Sequence, residues 1–287
     1  MAISAAQVKE LREKTGVGMM QCKKALTEAD GDIEKAIENL RKAGAAVAAK
    51  RADKDANEGC VFTAVSDAKA VAVEINCETD FVANGEDFQS AGKAIVELLL
   101  NNDFADINAI MAASLGELTV ETTLTSLTGK LGEKIDIKRF EVTANSAQNA
   151  IATYNHMGGK IGVVVNLKFE GTASDMPALT SIAKDLAMQV AATRPIAVDA
   201  SGVSQDVIDK EREIYKELAL QSGTKPEFLD RQVDGKVSKF LKEVCLAEQM
   251  FVKDSKLPVT KLLQNLEKEQ GVSNLVIESF TRFELGK

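Results

Sequence analysis

Tryptophan is absent from this 287-residue sequence, histidine occurs once, and aromatic residues make up only 5%. Any core must therefore rest on Leu, Ile, Val, Ala and Met. A zinc site needs about four clustered Cys/His ligands. The four cysteines, at 22, 60, 77 and 245, contain no Cys-x-x-Cys pair, so no metal site is expected. Their wide spacing also argues against a disulfide framework and fits a reducing cytoplasm. A Ser-His-Asp arrangement could use only His156, and nothing near it marks a nucleophile. Glycine-rich phosphate loops are missing too, since Gly158-Gly159 and Gly16-x-Gly18 are too short. No apolar run reaches the ~18 residues of a membrane span. Met1–Lys14 lacks the apolar stretch and cleavage site of a secretory signal. These absences predict a cytoplasmic protein that is not an enzyme and binds no cofactor.

What is present is an ordinary globular composition, 45% hydrophobic and 27% charged. The length suggests about two domains at ~150 residues each. The net charge of −8 is uneven: residues 1–54 carry +3 and the remainder −11. So acidic a body is a poor nucleic-acid binder, because phosphate neutralisation supplies most non-specific affinity. The basic N-terminal piece suits an acidic partner.

The first 45 residues read as three short helices. Ser4 caps the first, Thr15-Gly16-Val17-Gly18 interrupts, and Met19–Leu26 forms the second. Ile33, Ala36, Ile37 and Leu40 then keep the i, i+3, i+4, i+7 spacing of a buried face. Ala43–Lys54, Ala-rich and basic, reads as a helical or flexible linker. The period then changes. Residues 60–65 and 70–75 are strand-like with a turn at 66–69; helices are expected at 90–100 and 119–130, and a strand at 135–142. A similar layout returns about 90 residues later: strands at 150–154 and 160–166, then a helix over 175–192 that Pro195 ends. Lys69–Asn76 aligns loosely with Lys160–Asn166, which predicts two related α+β halves. Two narrow apolar stripes (Val207, Glu211, Ile214, Leu218, then Leu229, Val233, Val237, Phe240, Val244) predict a projecting helical hairpin of coiled-coil type. A helix at 258–270 and a strand at 275–285 close the chain.

Three places invite a functional reading. Asn76–Asn84 leaves a buried strand and precedes a helix. Composition alone favours Asp80 as the helix cap and Phe81 as local core. Of Met19 and Met20, one is expected in the core and the other exposed, where an adaptable thioether suits a binding surface. His156, in a hairpin turn, reads as a surface residue.

Val8–Arg12 together with Thr15–Leu26 closely resembles the N-terminal signature of the bacterial elongation factor Ts family, and Gly31–Ile37 continues it. Cys77-Glu78-Thr79-Asp80-Phe81-Val82-Ala83 resembles the family's second signature. His156–Val163 and Arg282–Gly286 resemble further family segments, so that the similarity covers almost the whole chain. The resemblance implies an α+β fold: a small N-terminal three-helix domain like ubiquitin-associated domains, a two-part core with antiparallel sheets, and a protruding antiparallel coiled-coil hairpin. It implies a domain division of 1–54, 55–145, 146–203 with 245–287, and 204–244 for the hairpin. It also implies a guanine nucleotide exchange factor that binds elongation factor Tu, GDP-bound or nucleotide-free, and promotes GDP release. Thr79, Asp80, Phe81 and Val82 would approach the partner's magnesium and phosphate site. Arg12, Met19, Met20 and Lys23 would make N-terminal contacts, and Leu131, Gly132, His156 and Val252 core contacts. The sequence departs from the family in two ways. Many members continue with another helix after the Arg-Phe-Glu segment, whereas this sequence ends at Lys287. Position 253, apolar in some relatives, is Lys here. The competing reading is a non-catalytic adaptor built around a ubiquitin-associated-like domain; an RNA-binding role lacks the basic–aromatic pattern it would need.

Overall fold

Ser4 opens the first helix with a reciprocal cap: its hydroxyl accepts from the Gln7 N–H while Gln7 Oε1 accepts from the Ser4 N–H. In the computed structural model, which describes residues 3–287, helix α1 (Ala5–Thr15) stops at Gly16, whose φ of 65° needs no Cβ. Helices α2 (Met19–Glu28) and α3 (Ile33–Arg51) follow. Val8, Leu11, Cys22, Leu26 and Ala36 close a small apolar cluster among the three.

The Ala-rich stretch from residue 43 is not a flexible tether. Helix α3 runs unbroken to Arg51, and its second half lies on a helix of the body. The two approach most closely at Gly44 and Gly129, where a Cβ built on Gly129 would stand 2.4 Å from Gly44 Cα. Of the two readings of this linker, helical or flexible, the helical one holds, and the helix is packed on the body.

The body begins with β1 (Glu58–Val65) and β2 (Lys69–Cys77), followed by α4 (Asp80–Ala83), α5 (Glu86–Asn101) and α6 (Ile107–Ala112). A small hairpin, β3 (Ser114–Leu115) with β4 (Leu118–Thr119), leads into α7 (Val120–Leu131) and β5 (Asp136–Ala144). The second half comprises β6 (Asn149–His156), β7 (Ile161–Glu170), α8 (Met176–Thr193), α9 (Gln205–Gln221) and α10 (Pro226–Val244). The short strands β8 (Met250–Phe251) and β9 (Asp254–Pro258), then α11 (Val259–Gln270) and β10 (Ser273–Glu284), complete it.

Two three-stranded antiparallel sheets result, ordered β1-β2-β5 and β10-β7-β6. The loosely aligned segments 69–76 and 160–166 fall in the central strands, β2 and β7, and each half supplies its outer strands in the same sequence order. Both central strands are long apolar runs because both of their faces are covered. One face of each sheet packs on its own helices (α5 and α7 for the first, α8 and α11 for the second). The other faces meet across Val61, Ala70, Ala72, Ile151, Val164 and Phe283. Gly162 makes that approach close: a Cβ there would sit 2.3 Å from Val61 Cγ1. Buried Glu74 on β2 is paired, as a buried charge must be. Arg139 on β5 donates to it at 2.7 Å and lies 4.4 Å from the Phe283 ring centre.

Helices α9 and α10 pack on one another. On α10 the expected stripe is the inner face: Val233 and Val237 are buried and Leu229, Phe240 and Val244 half-buried. On α9 the stripe holds at Val207 and Glu211 and then departs. Val207, Glu211, Tyr215 and Ala219, spaced by four, are protected on α9 together with Ile208, while Ile214 and Leu218 are about half exposed. A four-residue spacing drifts round the helix relative to a 3–4 alternation and turns those two side chains to the flank. The hairpin base has its own cluster of Ala197, Val203 and Cys245, with Ile208 and Leu241 against it.

Candidate partner-binding surface

Strand β2 is buried along its whole length and ends at Cys77. The chain must then turn, and Thr79 makes the turn by capping α4: its hydroxyl accepts from the Val82 N–H. Asp80 occupies the first helical position, where an acid complements the helix dipole. Phe81 is 86% exposed. The reading that Asp80 caps and Phe81 fills the core is thus overturned on both counts. Thr79 is the cap, and Val82 and Ala83 supply the apolar contacts that a core Phe would have made.

A network of anchors holds this turn. Glu133 grips Thr79 with both carboxylate oxygens, accepting from its hydroxyl at 2.6 Å and its N–H at 2.9 Å. Glu78 accepts from the Lys134 N–H at 2.7 Å and from Arg51, in the last turn of α3, at 2.8 Å. Asn84 donates to the Asp80 carbonyl and Gln89 to that of Ala83. Beneath them the Cys77 thiol donates to the Thr79 carbonyl at 3.1 Å. Burial first, and the Glu133 carboxylate second, push that thiol up to about 12.

Leu131 and Gly132 adjoin the same turn. Helix α7 ends at Leu131, Gly132 takes the left-handed cap at φ 77°, and Glu133 follows at once. His156 ends β6, exposed, with Nδ1 3.0 Å from the Tyr154 hydroxyl. Its turn is tied to the same end of the first sheet. Gly158 O accepts from the Cys60 thiol, and Lys160 pairs with Glu58, whose register partner is Cys77.

Two groups stand elsewhere. Arg12, Met19, Met20 and Lys23 lie exposed on α1 and α2. Met19 is 42% and Met20 76% exposed, so the expectation that one of them is core is corrected. Val17 and Cys22 already close the cluster at that end. Val252, in the turn between β8 and β9, is half exposed, and its N–H donates to Gln189 Oε1 at 3.1 Å. Next to it, Lys253 meets the Asp185 carboxylate at 2.7 Å, which gives a charged side chain a local partner at that position.

Sequence reasoning missed Glu133 and the Arg51–Glu78 pair. Their partners lie 54 and 27 residues apart, and no local pattern signals such a contact. Exposed Met157 and Ile196 were equally silent, since a lone apolar residue in a loop carries no periodicity. Among the described residues no group of His, Cys, Asp or Glu is arranged to hold a metal ion, and no helix is long and apolar enough to cross a membrane.

What the geometry defines is a mixed α/β protein of two related antiparallel-sheet halves that presents apolar side chains on short, anchored turns. Residues 78–287 match the family model described as elongation factor TS. The chain is 46% identical over 291 residues to the elongation factor Ts of Prosthecochloris aestuarii, covering 99% of both chains. It is 46% identical over 292 residues to that of Chlorobium chlorochromatii, again covering 99% of each. To that of Clostridium perfringens it is 44% identical over 288 residues, covering 99% of this chain and 93% of the relative. The chain belongs to the elongation factor Ts family, and so to the factors of translation elongation.

Proposed function

We propose that this protein is the guanine nucleotide exchange factor of elongation factor Tu, binding the GDP-bound and nucleotide-free forms and speeding GDP release. Membership of the family supports the partner. The observation that carries the mechanism is Phe81: a large apolar side chain almost wholly in water, on a turn anchored from three sides. Such a group is arranged to be buried by something else.

Accelerating release about 10⁴-fold means lowering the barrier by roughly 5.5 kcal/mol. A factor achieves this only by binding the nucleotide-free partner better than the GDP form, and the coupling is reciprocal. Burying an aromatic anchor contributes roughly 1.5–3 kcal/mol, so Phe81 with one or two supporting contacts supplies the differential. In this reading Phe81 enters an apolar pocket of the partner and shifts the backbone that orders its Mg²⁺, with Thr79, Asp80 and Val82 framing the entry. Leu131, Gly132, His156 and Val252 dock the core. Arg12, Met19, Met20 and Lys23 add affinity from a ubiquitin-associated-like domain spanning 1–54, and the coiled-coil hairpin 204–244 projects away. The chemistry is conformational, with no bond made or broken by this chain, in the cytoplasm and without nucleic-acid contact.

Release of a fluorescent GDP analogue from purified elongation factor Tu tests the proposal. Release should accelerate with added protein and saturate. No acceleration, with binding intact, would favour the adaptor reading instead.

A further inference from the structure

Phe81 belongs to a helix of four residues. Helices this short do not hold themselves together, because nucleation is unfavourable and few bonds follow it. The direction in which Phe81 points is therefore set by what grips the ends of the turn. The strongest grip is Glu133, whose two oxygens take the hydroxyl and the N–H of Thr79, at 2.6 and 2.9 Å. Hydrogen bonds to an ionised carboxylate are the strong class, and a two-point contact fixes orientation as well as distance.

The second half of the molecule repeats the device. There the chain leaves β7 and enters α8 at Ser174 and Asp175. The Ser174 hydroxyl and the Asp175 N–H both donate to Gln270 Oε1, at 2.9 and 2.8 Å. Gln270 ends α11 next to its left-handed cap Gly271, as Glu133 follows Gly132 at the end of α7. In both halves a residue at or just past the end of the last helix before the third strand thus holds the junction between the second strand and its following helix. In the half that carries the exposed aromatic, the gripping group is a charged carboxylate; in the other it is a neutral amide.

We propose that Glu133 is a positioning residue for nucleotide exchange, its carboxylate fixing Thr79 so that Phe81 is presented ready to insert. Glu133 acts through Phe81 and touches no nucleotide. This rests on the reading of Phe81 given above. It also makes the 131–134 loop double in purpose, since Leu131 and Gly132 face the partner in that reading while the next residue holds the inserting turn.

The test is a cycle of Glu133→Ala, Phe81→Ala and the double variant, read as the maximal GDP-release rate and the factor concentration giving half of it. Glu133→Ala should lower the maximal rate about tenfold and move the half-saturating concentration less than about threefold, because the docking contacts are untouched. The double variant should be no slower than Phe81→Ala alone, as for two residues acting as one unit. Glu133→Gln keeps the side-chain length but only one acceptor oxygen and no charge, so its rate should fall between those of the parent and Glu133→Ala. Thr79→Val removes the hydroxyl from the other side of the contact and should reproduce the loss if Glu133→Ala proves too unstable to assay. A normal maximal rate for Glu133→Ala or Thr79→Val beside a slow Phe81→Ala would overturn the assignment of Glu133 alone. Multiplying losses in the double variant would do the same. An unchanged rate in Phe81→Ala would overturn the reading of Phe81, and this proposal with it.

Discussion

Alanine substitution at Gly129 and, separately, at Gly44 probes how the first three helices are seated on the body. Both glycines lie where α3 crosses α7, but their surroundings differ. A Cβ on Gly44 meets Gly129 Cα and Thr125 O at 3.6 Å, an ordinary contact. A Cβ on Gly129 lands 2.4 Å from Gly44 Cα, more than an ångström inside the ~3.5–4.0 Å optimum for carbon atoms. The obstacle is backbone, so the helices must part. Overpacking of this kind costs about 1–3 kcal/mol, while replacing a helical Gly by Ala contributes roughly 1 kcal/mol in the other direction. Gly129→Ala should therefore be destabilised by up to about 2 kcal/mol. Gly44→Ala should be neutral or stabilised by up to about 1 kcal/mol. Urea melts of both variants give the ordering. Hydrogen exchange should place the loss at Gly129 in α3 and α7, leaving the amides of α8 and α11 unchanged, because those helices belong to a separate cluster. Gly129→Ala as stable as Gly44→Ala would refute the reasoning, since it would mean that the helices do not cross this closely.

Phe81→Ala should leave the melting temperature nearly unchanged, since surface truncations stay within about 0.5 kcal/mol, and should slow exchange at least about tenfold; a large drop in melting temperature with normal exchange would show Phe81 to be structural. Replacing residues 205–239 by a short Gly/Ser linker should leave the body folded by circular dichroism, because the cluster at the hairpin base keeps Leu241 and Cys245 and the two sheet cores lie elsewhere; an insoluble product would contradict this. Glu284 is held down from 4.5 to about 2, first by Lys287 and then by Arg282 and Arg194. Its ionised form is thus favoured in the folded state: the stabilisation is complete above pH 4.5 and disappears as pH falls towards 2. Across that window the melting temperature of the parent should fall more steeply than that of Glu284→Gln, and parallel curves would exclude the linkage.

Much of the architecture was legible because it is written in period. Short β-type runs marked β1 and β2, 3–4 spacing marked α3 and α8, and the shift between them marked where the helices give way to sheet. The internal alignment of 69–76 with 160–166 pointed to both central strands, whose uninterrupted apolar character reflects covering on two sides. Position within a short element was not legible. Met19 and Phe81 are apolar residues in first turns, where one or two positions of offset decide between core and water. Glu133 illustrates another limit: an acid just beyond a glycine stop reads as solvated, and only the closed fold brings Thr79 within its reach. At α9, stripe counting chose Ile214 and Leu218 where four-residue spacing puts Tyr215 and Ala219 inward.

The face-to-face sheets have a consequence for valency. Each half covers the side of its counterpart that would otherwise be wet, which is what the subunits of a two-fold dimer do for one another. Two separate subunits, however, would have to carry every feature in duplicate. Joined in one polypeptide, the two halves are under no such rule, and they differ. One leaves its middle strand into Thr79–Val82 with an aromatic standing in solvent; the other leaves into Gly171–Asp175, which contains no aromatic at all. Two halves with the same sheet order thus present an exposed aromatic at this junction only once, so a partner that buried it, as proposed above, would find one such site on each chain.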